Sequence, residues 1–293
     1  MRRLLLVLIP SAALVIAGTG LSAKVEDGLA PTGRIAFAYR FWPEDPRITD
    51  NYEIFVMDAA KGTSSNLTRF PRCSEVAPAW SRSGRWLAFS CEYGPFAGIG
   101  IVRNDGAKRW RVLRSTKHGQ WGEPAWAPDG RRLAVTGALG IWTVNADGSR
   151  LRQLTGRSDG WPTWSPDGSA IAFVRAVRGK AVIMRMRPDG RGRRLLASNA
   201  SSPEWSPDGR HLAFVRGNWV WVMNTDGSGQ HRLPGSTTGN VVDIAWSPDS
   251  RYLAYYVYCC RESGIYVMAA DGSSRRRLSF GSEFQGISWG RNR

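Results

Sequence analysis

The chain has 293 residues, with 40 lysines and arginines against 24 aspartates and glutamates, a net charge of +16. Its 33 glycines and 16 prolines interrupt nearly every stretch of ten residues, which makes helical repeats a poor alternative. After residue 23 no apolar run is long enough to span a membrane as a helix.

The first 23 residues stand apart. Arg2-Arg3 precedes an apolar run over 4–17 and the small-residue end GTGLSA, the pattern of a secretory signal peptide. Cleavage after Ala23 is expected; Leu21 is a poor small-residue match, so an uncleaved anchor is the alternative. Residues 24–32 then form a short linker and 33–293 a single repeat-built domain. The expected location is periplasmic or secreted.

From residue 33 the chain reads as short strands. GRIAFAYR, YEIFVMDAA and SSNLTRF are the second, third and fourth strands of a sheet that lacks its first. A phrase then recurs: Trp80-SRSGRWLAF, Trp126-APDGRRLAV, Trp164-SPDGSAIAF, Trp205-SPDGRHLAF and Trp246-SPDSRYLAY. From Trp80 to a sixth copy at Trp289, the tryptophans are spaced by 46, 38, 41, 41 and 43 residues, a repeat period. In SPDG the proline presets φ, the aspartate bonds its own backbone and the glycine accepts positive φ, which makes a tight turn. Each phrase is followed by a second strand-like run ending in Asp-Gly, as in VWVMNTDG, and by a short basic segment. One period therefore holds four antiparallel strands. Six such units predict an all-β, six-bladed β-propeller, its first blade closed by the strand at "FQGISWGRNR". Closure removes the exposed sheet edges of an open stack.

Arginine supplies 35 of the 40 basic side chains and clusters in the fourth strands, as in KRWRVLR and SRRRL. Charge on an outer edge blocks unwanted strand addition, so a solvated basic rim is expected in place of a nucleic-acid site. Export permits disulfides. Cys73 precedes the first strand of its blade and Cys91 follows the second, which puts both on one face, and they are expected to pair. Cys259 and Cys260 are adjacent, either bridged to each other or paired elsewhere. His118, His211 and His231 fall in different layers of the blades, and no zinc-ligand spacing occurs, so no metal and no cofactor is expected. There is no G-x-S-x-G elbow. The repeat tryptophans are read as inter-blade packing, whereas Trp121 and Trp161 stand at the entry to a first strand and can line the channel mouth.

The phrases P-x-W-S-P-D-G-x-x-L-A-F and I-Y-V-M-x-x-D-G-S resemble the WD40-like repeat called PD40, found in TolB-like propellers. The resemblance covers residues 33–293 and implies a propeller fold, partners of the protein type and no catalytic domain. TolB-like proteins carry an α/β domain ahead of the propeller and work with the Tol–Pal envelope system; no such domain is read here between the leader and the first blade. Departures from the repeat are Arg82 for Pro, Ala127 for Ser, Ser250 for Gly and Gly290-Arg291 for the last SPDG, and they suggest loosened turns.

Counting back from each repeat tryptophan places Glu75, Glu123, Asp159, Trp161, Asp243 and Glu283 at the channel mouth, an acidic ring on a basic protein. The function expected is an exported, non-catalytic, monomeric platform for a protein partner, binding a basic segment or a cation at that mouth. The alternatives are a glycan lyase or hydrolase built in the channel, or a small-ligand or cation binder there.

Overall fold

The computed structural model describes residues 31–41, 51–70, 73–93, 96–115, 120–156, 159–236, 239–259 and 261–292. The expected leader at 1–23, most of the linker at 24–32, His118 and Cys260 lie outside the described residues.

The described residues form six four-stranded antiparallel sheets arranged as a ring. Blade two runs from the innermost strand Glu75–Trp80 through Trp86–Cys91 and Gly98–Arg103 to the outer strand Arg109–Arg114. Blades three to six repeat this order with innermost strands Trp121–Trp126, Asp159–Trp164, Ser201–Trp205 and Asn240–Trp246. Blade one takes its innermost strand, Phe284–Gly290, from the far end of the sequence and pairs it with Arg34–Phe41, Arg34 opposite Gly290 and Tyr39 opposite Phe284. Among the described residues no helix is long and apolar enough to cross a membrane.

The recurring phrase forms the same turn in each blade. The N–H of Gly84, Gly130, Gly168, Gly209 and Ser250 donates to the carbonyl three residues back at 2.8–2.9 Å. The serine of the phrase is consumed by this turn. Ser165, Ser206 and Ser247 donate to Asp167, Asp208 and Asp249 at 2.5–2.6 Å and accept the N–H five residues on at 2.9 Å. Those bonds hold the Asp167 carboxyl down to about 2. At Arg82, Ala127 and Ser250 the expected loosening is not found, since each turn keeps its backbone bond. Ser250 adopts the left-handed φ of 62° that glycine takes elsewhere, and beside Ala127 the turn is tied by Asp129, which accepts from the Arg131 N–H and the Arg132 side chain.

All six repeat tryptophans are buried. The Trp126 and Trp246 indoles donate to Ala79 and Glu204 carbonyls of the preceding blade at 3.1 Å, and that of Trp289 to the Thr32 carbonyl at 3.0 Å. Each ring brings roughly 150–250 Å² of surface to an inter-blade core. Cys73 and Cys91 are joined, as expected, with Cα atoms 5.5 Å apart; Cys259 holds a free, half-buried thiol. The arginine-rich outer strands are only partly a solvated rim. Arg109 donates to the Thr68 carbonyl of blade one, Arg193 to Leu154 of blade three, and Arg276 to Ala59 and Ala60 of blade one. These arginines clasp neighbouring blades at their edges.

Candidate functional site at the channel mouth

Each innermost strand carries a bulge, seen as a register shift against its partner: between Val76 and Ala79, Gly122 and Ala125, Gly160 and Thr163, Ser201 and Glu204, and Val241 and Asp243, with the sixth opposite Phe37 and Ala38. In four blades the bulge places a non-glycine residue directly before proline at positive φ: Ala77 at 50°, Glu123 at 38°, Trp161 at 49° and Ser202 at 48°. Such a backbone costs about 1–3 kcal/mol per residue and is kept where the surroundings fix it. A bulge re-aims the side chain next to it, and here the re-aimed positions surround the channel.

The wide end of the channel is a cavity of about 530 Å³. Four carboxylates line it, Glu92, Glu123, Glu204 and Asp243, together with Trp161 and Gln285. Among the described residues no lysine, arginine or histidine does so. Trp161 leaves 55% of its surface exposed and Val242 leaves 47%, so the acidic mouth also offers apolar surface. Asp243 bridges two blades by accepting the N–H groups of Ile244 and Ile287, each at 2.9 Å. Thr163 of the preceding blade donates to Glu204 at 3.1 Å.

Burial, with like charge adding to it, appears in the acidities. Burial pushes Glu204 up to about 8, and the Asp243 charge adds to it despite the Thr163 bond. Asp243 is raised to about 6 by burial, its two backbone bonds opposing and the Glu123 charge reinforcing. Glu123 is raised by burial and then by Glu92, and Glu92 by burial alone. Arg82 closes the opposite end: standing where the repeat has proline, it reaches from blade two to the Pro166 carbonyl of blade four at 2.7 Å. A second cavity of about 150 Å³ there is lined by Arg82 and Arg291 and meets the first at Glu204. The channel thus runs from carboxylates at one end to arginines at the other.

Of the six positions counted from the sequence, Glu123, Trp161 and Asp243 line this cavity and three do not. Glu75 is buried between blades one and two, with Arg109 at 3.0 Å. Asp159 is buried in a bidentate pair with Arg175 at 2.7 and 2.8 Å. Glu283 lies at the rim beside Arg40 at 3.4 Å. Glu75 and Asp159 stand five residues before their tryptophans and Glu123, Trp161 and Asp243 three before theirs. A regular strand would put both positions on one face; the bulge between them takes the earlier one off the channel, where Asp159 meets Arg175 of its own blade. Trp121, also five before its tryptophan, packs edge-on against Trp142 at 5.6 Å and stays out of the main cavity. Glu204 was not picked out by this count. Its signal was its slot directly before the tryptophan, where the other copies have Ala79, Ala125, Thr163, Ala245 and Ser288.

His211 and His231 sit in a second and a fourth strand of blade five, and among the described residues no cluster of three or more histidines, cysteines or carboxylates is placed to hold a metal ion. No family model matches the chain, and no curated protein is similar to it in sequence. Solved structures do resemble it. TolB from Acinetobacter baumannii is 18% identical over 89% of this chain and 67% of its own, with a TM-score of 0.75. A chain of a nidogen/laminin complex is 14% identical over 88% of this chain and 98% of its own, at 0.71. An oligogalacturonate lyase in complex with manganese is 12% identical over 79% and 71%, at 0.56. Identities this low carry the architecture and no activity, and the architecture shared with TolB is the six-bladed β-propeller built here from four-stranded blades.

Proposed function

We propose that this protein is an exported, non-catalytic interaction module whose channel mouth holds a basic segment of a protein partner. The observation that carries the reading is the set of four acidic side chains facing one cavity, with no cationic side chain among its described lining residues, on a chain of net charge +16. A lysine or arginine entering there supplies the counter-charge that burial denies Glu204 and Asp243 and offsets the neighbouring carboxylates, and Trp161 offers an exposed ring for cation–π or apolar contact. The Cys73–Cys91 bridge suits an oxidising compartment, in keeping with residues 1–23 as an export signal. Similarity to TolB and to a chain of a nidogen/laminin complex is in line with a binding role.

The second reading, a glycan-cleaving enzyme, draws on the similarity to an oligogalacturonate lyase. An anionic sugar chain would meet the same carboxylates unfavourably, which favours the first reading. Calorimetric titration with a short peptide of alternating lysine and tryptophan tests it: Glu123→Gln is expected to weaken binding roughly tenfold, and the affinity to fall with added salt. Equal affinity in wild type and variant, with turnover of a neutral or acidic oligosaccharide, would replace the module by the enzyme.

A further inference from the structure

Blade two lacks a side chain that the other five blades have. At the centre of each blade a second-strand residue faces a third-strand residue: Phe37 with Phe55, Val135 with Trp142, Phe173 with Met184, Phe214 with Trp221 and Tyr255 with Tyr266. Three of these pairs are stacked rings 5.5–6.2 Å apart. In blade two the pair is Phe89 with Gly100. A Cβ on Gly100 would come within 2.5 Å of the Phe89 ring, so that ring leans into part of the space left by the missing side chain. The rest remains open as a lateral cavity of about 320 Å³, separate from the channel.

Its walls are Phe70, Phe89, Phe96 and Trp110, with Phe70 and Phe96 edge-to-face at 5.1 Å and Phe96 partly exposed at the rim. The Cys73–Cys91 bridge forms part of the lining. Three charged residues complete it, Arg109, Arg111 and Glu75. Arg109 lies over the Phe70 ring at 4.5 Å, and its two terminal nitrogens are used, one on the Thr68 carbonyl and one on Glu75. Glu75 is fully buried; Oε1 accepts from Arg109, while Oε2 is buried without a hydrogen-bond partner. Burial holds this carboxyl up at about 7 against the pull of Arg109 and the lesser pull of Thr68 and the Ile54 backbone. An unpaired buried oxygen is costly, and a ligand donor that reached it would recover that cost.

We infer that this cavity is a binding site for a small aromatic molecule carrying one hydrogen-bond donor, a phenol or an indole, whose ring takes the place of the absent third-strand side chain and whose donor meets Glu75 Oε2. The volume and the mostly apolar lining with a few polar groups, Glu75, Arg109 and Arg111, are those of a small-molecule site. The site is independent of the channel mouth and of the function proposed for it.

Calorimetric titration of the full chain with p-cresol and with toluene tests the assignment. Saturable p-cresol binding below about 1 mM is expected for eight heavy atoms in a fitted pocket. Toluene is expected to bind about tenfold or more weakly, because it leaves Glu75 Oε2 unpaired. Gly100→Tyr restores the missing ring and is expected to abolish binding. Phe96→Ala, at the exposed rim, is expected to weaken it several-fold while leaving the fold intact, so the test survives if the Gly100 variant does not fold. No saturable p-cresol binding up to 10 mM, equal affinity for p-cresol and toluene, or binding unchanged in Phe96→Ala overturns the inference.

Discussion

The two ends of the central channel are made by the same six innermost strands, yet they treat their polar side chains in opposite ways. At the turn end the serines and aspartates of the repeated phrase satisfy one another and the local backbone, and Arg82 is tied to a carbonyl across the axis. At the bulged end the strands break register, four residues before proline take left-handed backbone, and carboxylates face one another across a cavity of about 530 Å³. One end spends its chemistry on holding the ring together. The other keeps chemistry in reserve, at a cost in strain and charge repulsion. Repetition therefore explains the turn end well, whereas the bulged end is explained by what differs from blade to blade.

That contrast can be broken most forcefully at the turn end. Trp205→Ala empties an inter-blade core and is expected to cost about 3–5 kcal/mol in denaturant unfolding. A loss below about 1 kcal/mol would mean that the blades are not held by their tryptophans. The next effect belongs to the bulged end. Glu204 keeps its proton in the folded protein up to about pH 8, against an ordinary value of 4.5. Between those values the folded state binds more protons than the unfolded one, so stability falls as pH rises and levels off above about 8. Asp243 contributes in the same sense between 3.8 and about 6, and Glu75 between 4.5 and about 7. Glu204→Gln is expected to flatten the upper part of this slope and to stabilise the protein by about 2 kcal/mol at pH 9, allowing for its partial contact with channel water. Thermal melts from pH 5 to pH 9 read both, and a wild type that gains stability over that range contradicts the reading. The smallest effect is expected from Arg82→Ala. Its bond is exposed, so stability should move by less than about 1 kcal/mol, and a larger loss would make the arginine a structural tie across the ring.

Much of this architecture is legible before any coordinates. The turn phrase, the tryptophan period and the matching of residues 34–66 with the strand at 284–290 are local chemistry repeated many times, and repetition makes them readable. Cys73 and Cys91 could be paired because the strand order alone puts them on one face. The mouth was legible only in part. Glu75 and Asp159 were counted into it because a strand with period two puts them on the same side as Glu123 and Trp161. A one-residue bulge, whose signal is only a residue ahead of a proline, undoes that count. Glu204 and Gly100 escaped for a related reason: each is a single departure from the repeat, and attention to the repeat averages such departures away. The aligned tryptophans reveal Glu204 once the slot before them is compared across blades, and the aligned third strands reveal Gly100.

Blade one also sets the order of events in folding. Its innermost strand is contributed by Phe284–Gly290, and Trp289 bonds Thr32 across a separation of 257 residues. Joining ends so far apart carries a loop-closure entropy of about 5 kcal/mol, reduced as the blades between them form and bring the ends together. During synthesis, blades two to six can assemble in sequence, while residues 34–41 wait with one edge unpaired. Until residues 284–290 emerge, that edge is a template for the wrong strand, of the same chain or of another. The ring is therefore most vulnerable to mispairing just before it closes, and the strand at 284–290 is the one that ends the exposure.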